Sequence, residues 1–218
     1  MITAQQALAR LKEGNARFVE KLSANEDTCM VNRPELVAEQ SPFAIILGCS
    51  DARVPAELVF DQGLGDLFVI RVAGNIVAPS GIGSVEFAAL SFGTPLVVVL
   101  GHSKCGAINA TVNALTGNSK IPTSNLHSIV KRVRPAVESL LATELKHDHD
   151  KLVEQAVRAN VRSSVEHLSS GSSTLESLIS EGKLMVVGAE YSLETGKVDF
   201  FYEDYWERTR NLEAESNS

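Results

Sequence analysis

Residues 96–106 read LVVVLGHSKCG, and this stretch predicts how the chain folds. Five apolar residues with three consecutive valines are typical of a strand that is buried on both faces of a sheet. The polar side chains of His102 and Cys105 follow at the point where that strand must end. A second stretch of the same form, FAIILGCSDARVP at residues 43–55, places a cysteine, an aspartate and an arginine after another apolar run.

Helical patterns alternate with short apolar runs along most of the chain. The predicted strands are Phe43–Leu47, Leu67–Ile70, Leu96–Leu100 and Leu184–Val187. The predicted helices are residues 3–22, Gly83–Phe92, Asn125–Leu145, Leu152–Leu168 and Leu175–Ile179. Such alternation predicts an α/β fold whose central sheet is mostly parallel and flanked by helices. The turn sequence ETGK at residues 194–197 predicts a hairpin, which makes Val198–Tyr202 an antiparallel edge strand.

The length of 218 residues favours one domain, residues 1–218, with three parts. We expect an N-terminal helical arm over residues 1–40, an α/β core over residues 41–202 and a polar tail over residues 203–218. Apolar runs of about five residues are too short to span a membrane. The net charge of −7 would repel a phosphate backbone, so nucleic acid is not an expected partner.

Cysteine usage and the first residues indicate a reducing compartment. Three cysteines, an odd number in a chain of this length, do not form a disulfide framework. The first residues, MITAQQALARLKEGNARF, lack the apolar segment of a signal peptide. We therefore expect a cytoplasmic location, with a periplasmic one if a leader has been removed.

Two thiols and one imidazole predict a zinc site. Cys49 and the His102/Cys105 pair can meet if their two strands are neighbours, as in the strand order 2-1-3-4. Three protein ligands leave one coordination position for water, which is typical of catalytic zinc. Asp51 is then either a fourth ligand or an acceptor for that water, and Arg53 can hold Asp51 in a bidentate pair.

At these residues the sequence resembles the β-class carbonic anhydrases. The family pattern Cys-x-Asp-x-Arg stands at residues 49–53, and His-x-x-Cys stands at residues 102–105. The resemblance runs from about Ala4 to Phe201. Other similar segments are LKEGNARF at 11–18, DLFVIRVAGN at 66–75, GSVEFAAL at 83–90 and VVGAEYSLETGKV at 186–198.

The resemblance implies a zinc lyase that hydrates CO2 reversibly to bicarbonate and a proton through zinc-bound hydroxide. It implies one Zn²⁺ per chain, held by Cys49, His102 and Cys105. Asp51 would ligate zinc only in a closed state. In the open state, Asp51 and Arg53 would form the catalytic dyad.

The resemblance also implies where substrate binds. The backbone N–H of Gly106 would contact a substrate oxygen, and Gln40 matches an active-site amide. Phe68 and Phe87 match apolar pocket walls that a neighbouring subunit donates, since family members are homodimers or homotetramers. From the residues alone, the two phenylalanines are nearly as well explained by core packing, and Gln40 equally well by capping local backbone.

One branch of the family holds bicarbonate in a side pocket built from a tryptophan, an arginine and a tyrosine. Arg71 and Tyr191 match two of these residues, but Ile46 stands at the tryptophan position. We therefore expect this side pocket to be absent or weak and the site to be open at neutral pH.

Two other functions remain open from the sequence. The same scaffold can hydrolyse carbon disulfide or carbonyl sulfide, or a zinc-binding relative can serve a structural or sensory role without catalysis. Cys29 has no partner motif, and the HDHD tract at residues 147–150 is best read as a solvated helix end.

Overall fold

The computed structural model describes residues 2–21, 37 and 39–203. Its strands are β1 (Ala44–Gly48), β2 (Leu67–Arg71), β3 (Leu96–His102), β4 (Met185–Tyr191) and β5 (Val198–Glu203). Its helices are α1 (Ala4–Val19), α2 (Ala56–Val59), α3 (Pro79–Phe92), α4 (Gly106–Leu115), α5 (Ser124–Leu141), α6 (His149–Ser170) and α7 (Ser173–Ser180). Short 3₁₀ turns span Ala73–Asn75 and Glu144–His147. Cys29 and residues 204–218 lie outside the described residues.

The five strands form one sheet in the order β2-β1-β3-β4-β5. The first four are parallel and β5 is antiparallel, which confirms the predicted order and the antiparallel edge strand. β1 and β3 are buried along their whole length, as runs rich in valine and isoleucine require. Gly48 of β1 pairs with Leu100 of β3, so the carboxyl ends of these two strands lie side by side.

Several elements begin or end a few residues from their predicted bounds. α3 begins at Pro79 rather than Gly83, because a proline fits the first turn of a helix and fixes its backbone there. α6 begins at His149 because the Asp148 side chain accepts the N–H of Lys151 and caps the helix. The HDHD tract is therefore a helix start, in agreement with its reading as a solvated helix end.

Helices cover both faces of the sheet. α1 and α2 pack on one face around Leu11, Ile46 and Phe60, and α3, α6 and α7 pack on the other. α1 is fixed to the rest of the core by Asn15, whose amide donates to the carbonyls of Val59 and Gly196. Within the described part of the chain, every helix is too short or too polar to cross a bilayer.

Candidate metal centre

The site lies where β1 and β3 end. Because these strands are parallel neighbours, Cys49 after β1 and His102 at the end of β3 emerge at the same edge of the sheet. Cys105 immediately precedes α4 and is its N-cap residue. Gly101, just before His102, lets β3 pack closely against α6. A Cβ at this position would lie only 2.6 Å from Cγ2 of Val161.

Three side chains that could hold a metal ion converge at this edge. The ligand atoms of Cys49, His102 and Cys105 all lie within 4.8 Å of one another. The three residues are 5%, 0% and 1% exposed. Two sulfurs and one imidazole nitrogen at this spacing match the donor set that zinc prefers.

The histidine is already oriented for a metal. Its Nδ1 lies 2.9 Å from the carbonyl oxygen of Ser103, and a carbonyl only accepts, so Nδ1 carries the proton. The lone pair is then on Nε2, which is buried and has no hydrogen-bond partner among the described residues. An oriented imidazole with a free buried nitrogen is the arrangement expected of a metal ligand, so the residues fit zinc.

The two thiols are close enough to affect each other's protonation. The hydrogen bond from Cys105 lowers the pKa of Cys49, and the same contact raises the pKa of Cys105. The N–H of Gly74 also donates to Sγ of Cys49 at 3.3 Å, which favours the thiolate. Gly74 adopts the left-handed conformation, with φ of 75°, that aims this N–H at the sulfur.

Asp51 and Arg53 form the expected pair beside the three ligands. Nε and Nη2 of Arg53 donate to the two carboxylate oxygens of Asp51 at 2.9 and 2.8 Å. These bonds hold the pKa of Asp51 well below its usual range, so the carboxyl is ionised at neutral pH. Oδ2 of Asp51 lies 3.8 Å from Nε2 of His102, which places the dyad at the border of the metal-binding group.

Arg71 has a role that the sequence did not indicate. Its Nε donates to the carbonyl of Cys49 at 3.0 Å and its Nη2 to the carbonyl of Asp51 at 2.6 Å. Arg71 therefore fixes the backbone of the loop that carries both residues. The one available signal was its place at the end of β2, in register with Gly48 of β1.

The three residues at the side-pocket positions lie on different strands. Ile46 is fully buried in β1. Arg71 is on β2 and Tyr191 on β4, three strand positions apart or roughly 14 Å at about 4.8 Å per strand. The Tyr191 ring instead packs against Phe18 of α1. The absence or weakness of the side pocket therefore stays a prediction, which rests on Ile46 at the tryptophan position.

The predicted substrate contacts lie in two places. Gly106 is the first residue of α4, where backbone N–H groups have no partner within the helix. Gln40 is exposed and precedes β1, at the opposite end of that strand from Cys49. Phe68 is half-buried and Phe87 is 53% exposed, and the two rings lie 6.2 Å apart on the β2 side of the molecule. The roles of Gln40, Phe68 and Phe87 therefore stay predictions.

Known proteins are similar to this chain in sequence and in fold. A family model described as carbonic anhydrase matches residues 44–198. Carbonic anhydrase 2 of Mycobacterium tuberculosis is 40% identical over 187 residues, covering 86% of this chain and 87% of the relative. The carbonic anhydrase of Mycolicibacterium smegmatis is 37% identical over 189 residues, covering 87% and 89%. The solved β-carbonic anhydrase CafA of Aspergillus fumigatus is 28% identical, with a TM-score of 0.70 over 90% of this chain and 89% of that one.

The family match spans the four parallel strands and both motifs that border the candidate metal centre. The strand order that brings those motifs together is that of a fold shared with a solved β-carbonic anhydrase. On this sequence and structural similarity, the chain belongs to the β-class carbonic anhydrases.

Proposed function

We propose that this protein hydrates CO2 reversibly to bicarbonate and a proton, using one zinc ion per chain held by Cys49, His102 and Cys105. The observation that carries the proposal is the convergence of three buried ligand atoms beside an ionised Asp51 that Arg53 holds in place. A purely structural site would not need a guarded carboxylate at its border. When bound, zinc acidifies water, so that a nucleophile is available near neutral pH.

Asp51 orients the attacking oxygen. Its carboxylate is an acceptor only, so a water or hydroxide beside it must point a proton toward Asp51 and a lone pair toward the substrate. Arg53 holds both carboxylate oxygens and so limits the rotation of Asp51. Arg71 fixes the carbonyl of Asp51 and adds backbone rigidity to the same group. This fixed geometry is what lowers the cost of bringing the reactants together.

The substrate side needs little positive charge. CO2 is small, neutral and apolar, so an apolar wall with one N–H donor suffices to place it. The N–H of Gly106 at the start of α4 is that donor in our proposal. Bicarbonate is an anion that must leave, and strong cationic binding groups would slow its release.

We further propose that the protein is a homodimer or a higher homo-oligomer. On α3, Phe87 is 53% and Leu90 62% exposed, and the adjacent strand β2 is at the edge of the sheet. Large exposed apolar side chains beside an open strand edge are typical of a subunit interface. In such an assembly, Phe68 and Phe87 of one subunit would line the pocket of its neighbour.

The decisive experiment is stopped-flow CO2 hydration with the metal content measured on the same sample. We expect one zinc per chain and hydration activity that rises with pH as the zinc water ionises. A protein with one zinc per chain and no hydration activity would contradict the proposal and favour a structural or sensory zinc protein. Comparing CO2 with carbon disulfide as substrates tests the remaining alternative.

A further inference from the structure

Only two residues, Ser103 and Lys104, separate the ligands His102 and Cys105. Lys104 has a φ of 54°, a left-handed conformation that costs a non-glycine residue of the order of 1 kcal/mol. The carbonyl of Ser103 is also the group that orients the His102 ring, at 2.9 Å from Nδ1. The conformation of this two-residue linker therefore affects both ligands at once.

A distant glutamate holds both linker residues. Oε2 of Glu194 accepts the hydroxyl of Ser103 at 2.8 Å, and Oε1 forms an ion pair with Nζ of Lys104 at 2.8 Å. The contacts with Lys104 and Ser103 lower the pKa of Glu194 to about 2, so the side chain is ionised at any pH of interest. Oε1 thus pairs with Lys104, and Oε2 accepts from Ser103 and also from the Ser192 hydroxyl of its own turn at 3.2 Å.

The turn that carries Glu194 is itself anchored. It joins β4 to β5, and the N–H of Gly196 donates to the carbonyl of Ser192 across it at 2.9 Å. Asn15 of α1 donates to the carbonyl of Gly196 at 2.9 Å. We call the contacts of Glu194 with Ser103 and Lys104 the clamp. The backbone N–H of Leu193 adds to it by donating to the Ser103 hydroxyl at 3.0 Å. Glu194 is therefore presented from a fixed turn rather than from a free loop.

We propose that Glu194 is a positioning residue for the metal centre. It holds Ser103 and Lys104 in the conformation that aims Nε2 of His102 and Sγ of Cys105 at one ion. It touches neither the metal ligands nor the reacting atoms and acts through the linker alone. This inference rests on the zinc centre proposed above, and it predicts an effect on how tightly zinc is held.

The test is the variant Glu194→Gln, loaded with zinc. The amide oxygen can still accept from Ser103, but the amide nitrogen cannot pair with the Lys104 ammonium. We expect zinc to pass to a competing chelator about tenfold faster than from the parent, the size of effect typical of groups that orient metal ligands. In cobalt-substituted protein, we expect the absorption bands that report ligand geometry to shift. The metal-free variant should unfold at the temperature of the metal-free parent.

The matched control is Glu181→Gln. Glu181 also forms an exposed ion pair with a lysine, Lys183, at 2.6 Å, but in the turn before β4. This variant should release zinc at the parental rate. Lys104→Met removes the other half of the clamp and should act like Glu194→Gln, with little added effect in the double variant. Lys104→Met also keeps the proposal testable if Glu194→Gln fails to fold.

Three results would overturn the inference. The first is a zinc release rate for Glu194→Gln equal to that of Glu181→Gln. The second is a loss of stability in the metal-free variant with unchanged zinc release, which would make the clamp structural only. The third is a parent protein that binds no zinc, which would refute the proposed function as well. If the parent holds one zinc per chain and both Glu194→Gln and Lys104→Met release zinc at the parental rate, only the positioning role is refuted.

Discussion

Asp51 and Arg53 are joined by three hydrogen bonds within three residues of chain. Oδ1 of Asp51 accepts both the backbone N–H and the side-chain Nε of Arg53, at 3.0 and 2.9 Å. Oδ2 accepts from Nη2 at 2.8 Å and also faces Nε2 of His102 at 3.8 Å. Asp51 is therefore held at the edge of the metal-binding group by a neighbour that occupies both of its oxygens. In our proposal, Arg53 keeps Asp51 in this position and so prevents it from turning toward the ion.

The first prediction concerns the hydrogen bonds by which Arg53 holds Asp51 in place. Replacing Arg53 with alanine should lower kcat/KM for CO2 hydration about 10²- to 10³-fold, since Asp51 loses its fixed position beside the nucleophile. Zinc content should stay at one per chain, because Arg53 is not a ligand. Arg53→Lys should not restore activity, since an ammonium cannot make the bidentate pair. Stopped-flow assays with metal analysis check both values, and full activity in Arg53→Ala would refute the dyad.

The second prediction concerns the ligands. Replacing Cys49 with alanine should remove zinc and CO2 hydration together, because a site with two protein ligands holds zinc far more weakly. Cys29→Ala removes a thiol that lies outside the described residues and has no partner motif, so it should leave both values unchanged. Metal analysis and stopped-flow assays on the same samples check the pair. Zinc retained at one per chain in Cys49→Ala would exclude Cys49 as a ligand.

The sequence was sufficient for the parts of the site that follow strands. Apolar runs locate the ends of β1 and β3, and the carboxyl ends of neighbouring parallel strands meet at one edge of a sheet. Cys49, His102 and Cys105 could therefore be placed together before the structure was known. The predicted strand order 2-1-3-4 is one that meets this requirement, because it makes β1 and β3 neighbours.

The sequence could not predict the groups that hold these residues in position. Arg71 is a single arginine at the end of a strand, and a lone residue has no periodicity to reveal its bonding partners. Glu194 contacts Ser103 across 91 residues of chain, through the register of β3 with β4 and the shape of the next turn. Such contacts depend on tertiary packing, and only the folded chain defines them.

The third prediction tests the close packing behind His102. Gly101→Ala should lower the free energy of unfolding by about 1–3 kcal/mol, because the new methyl group would lie 2.6 Å from Val161. The same substitution should cost less in a Val161→Ala background, where the closest contact is removed and the next, Cγ1 of Val157, lies at 3.2 Å. Gly83→Ala is the control, since nothing lies within 4 Å of a Cβ at that helical position. Chemical denaturation measures all four, and strictly additive costs would show that the two side chains do not meet.

The fourth prediction concerns association. Leu90→Asp places a charge on the exposed apolar side of α3, next to the Phe87 ring that packs edge-on against Phe92 at 5.4 Å. We expect the dissociation constant of the oligomer to rise about tenfold or more, since burying an unpaired charge at an interface is costly. Leu126→Asp is the control, as Leu126 is 46% exposed but lies on α5. Sedimentation velocity checks both, and an unchanged assembly in Leu90→Asp would place the interface elsewhere.

The last prediction is a pH dependence of stability that arises from Glu190 on β4. Burial raises the pKa of Glu190, and the ion pair with Arg158 at 3.2 Å opposes this shift without cancelling it. The folded protein therefore binds this proton more tightly than the unfolded chain does. The stabilisation of the folded protein by this proton is fully present below about pH 4.3, the ordinary pKa of glutamate. It is lost as the pH rises through the raised pKa of the folded state.

The glutamine in Glu190→Gln cannot titrate. The free energy of unfolding of this variant should therefore increase relative to that of the parent between about pH 4 and pH 7. The relative gain should be small, because Arg158 pairs with the carboxylate and opposes the effect of burial. Urea denaturation at several pH values measures this difference, with Glu181→Gln as the control for removing a glutamate. A difference that is constant with pH, or that moves in favour of the parent as the pH rises, would contradict the assignment. A constant difference would mean that Arg158, which also binds Asp199 at 2.8 Å, fully compensates the buried charge, and a difference that moves toward the parent would mean that it overcompensates.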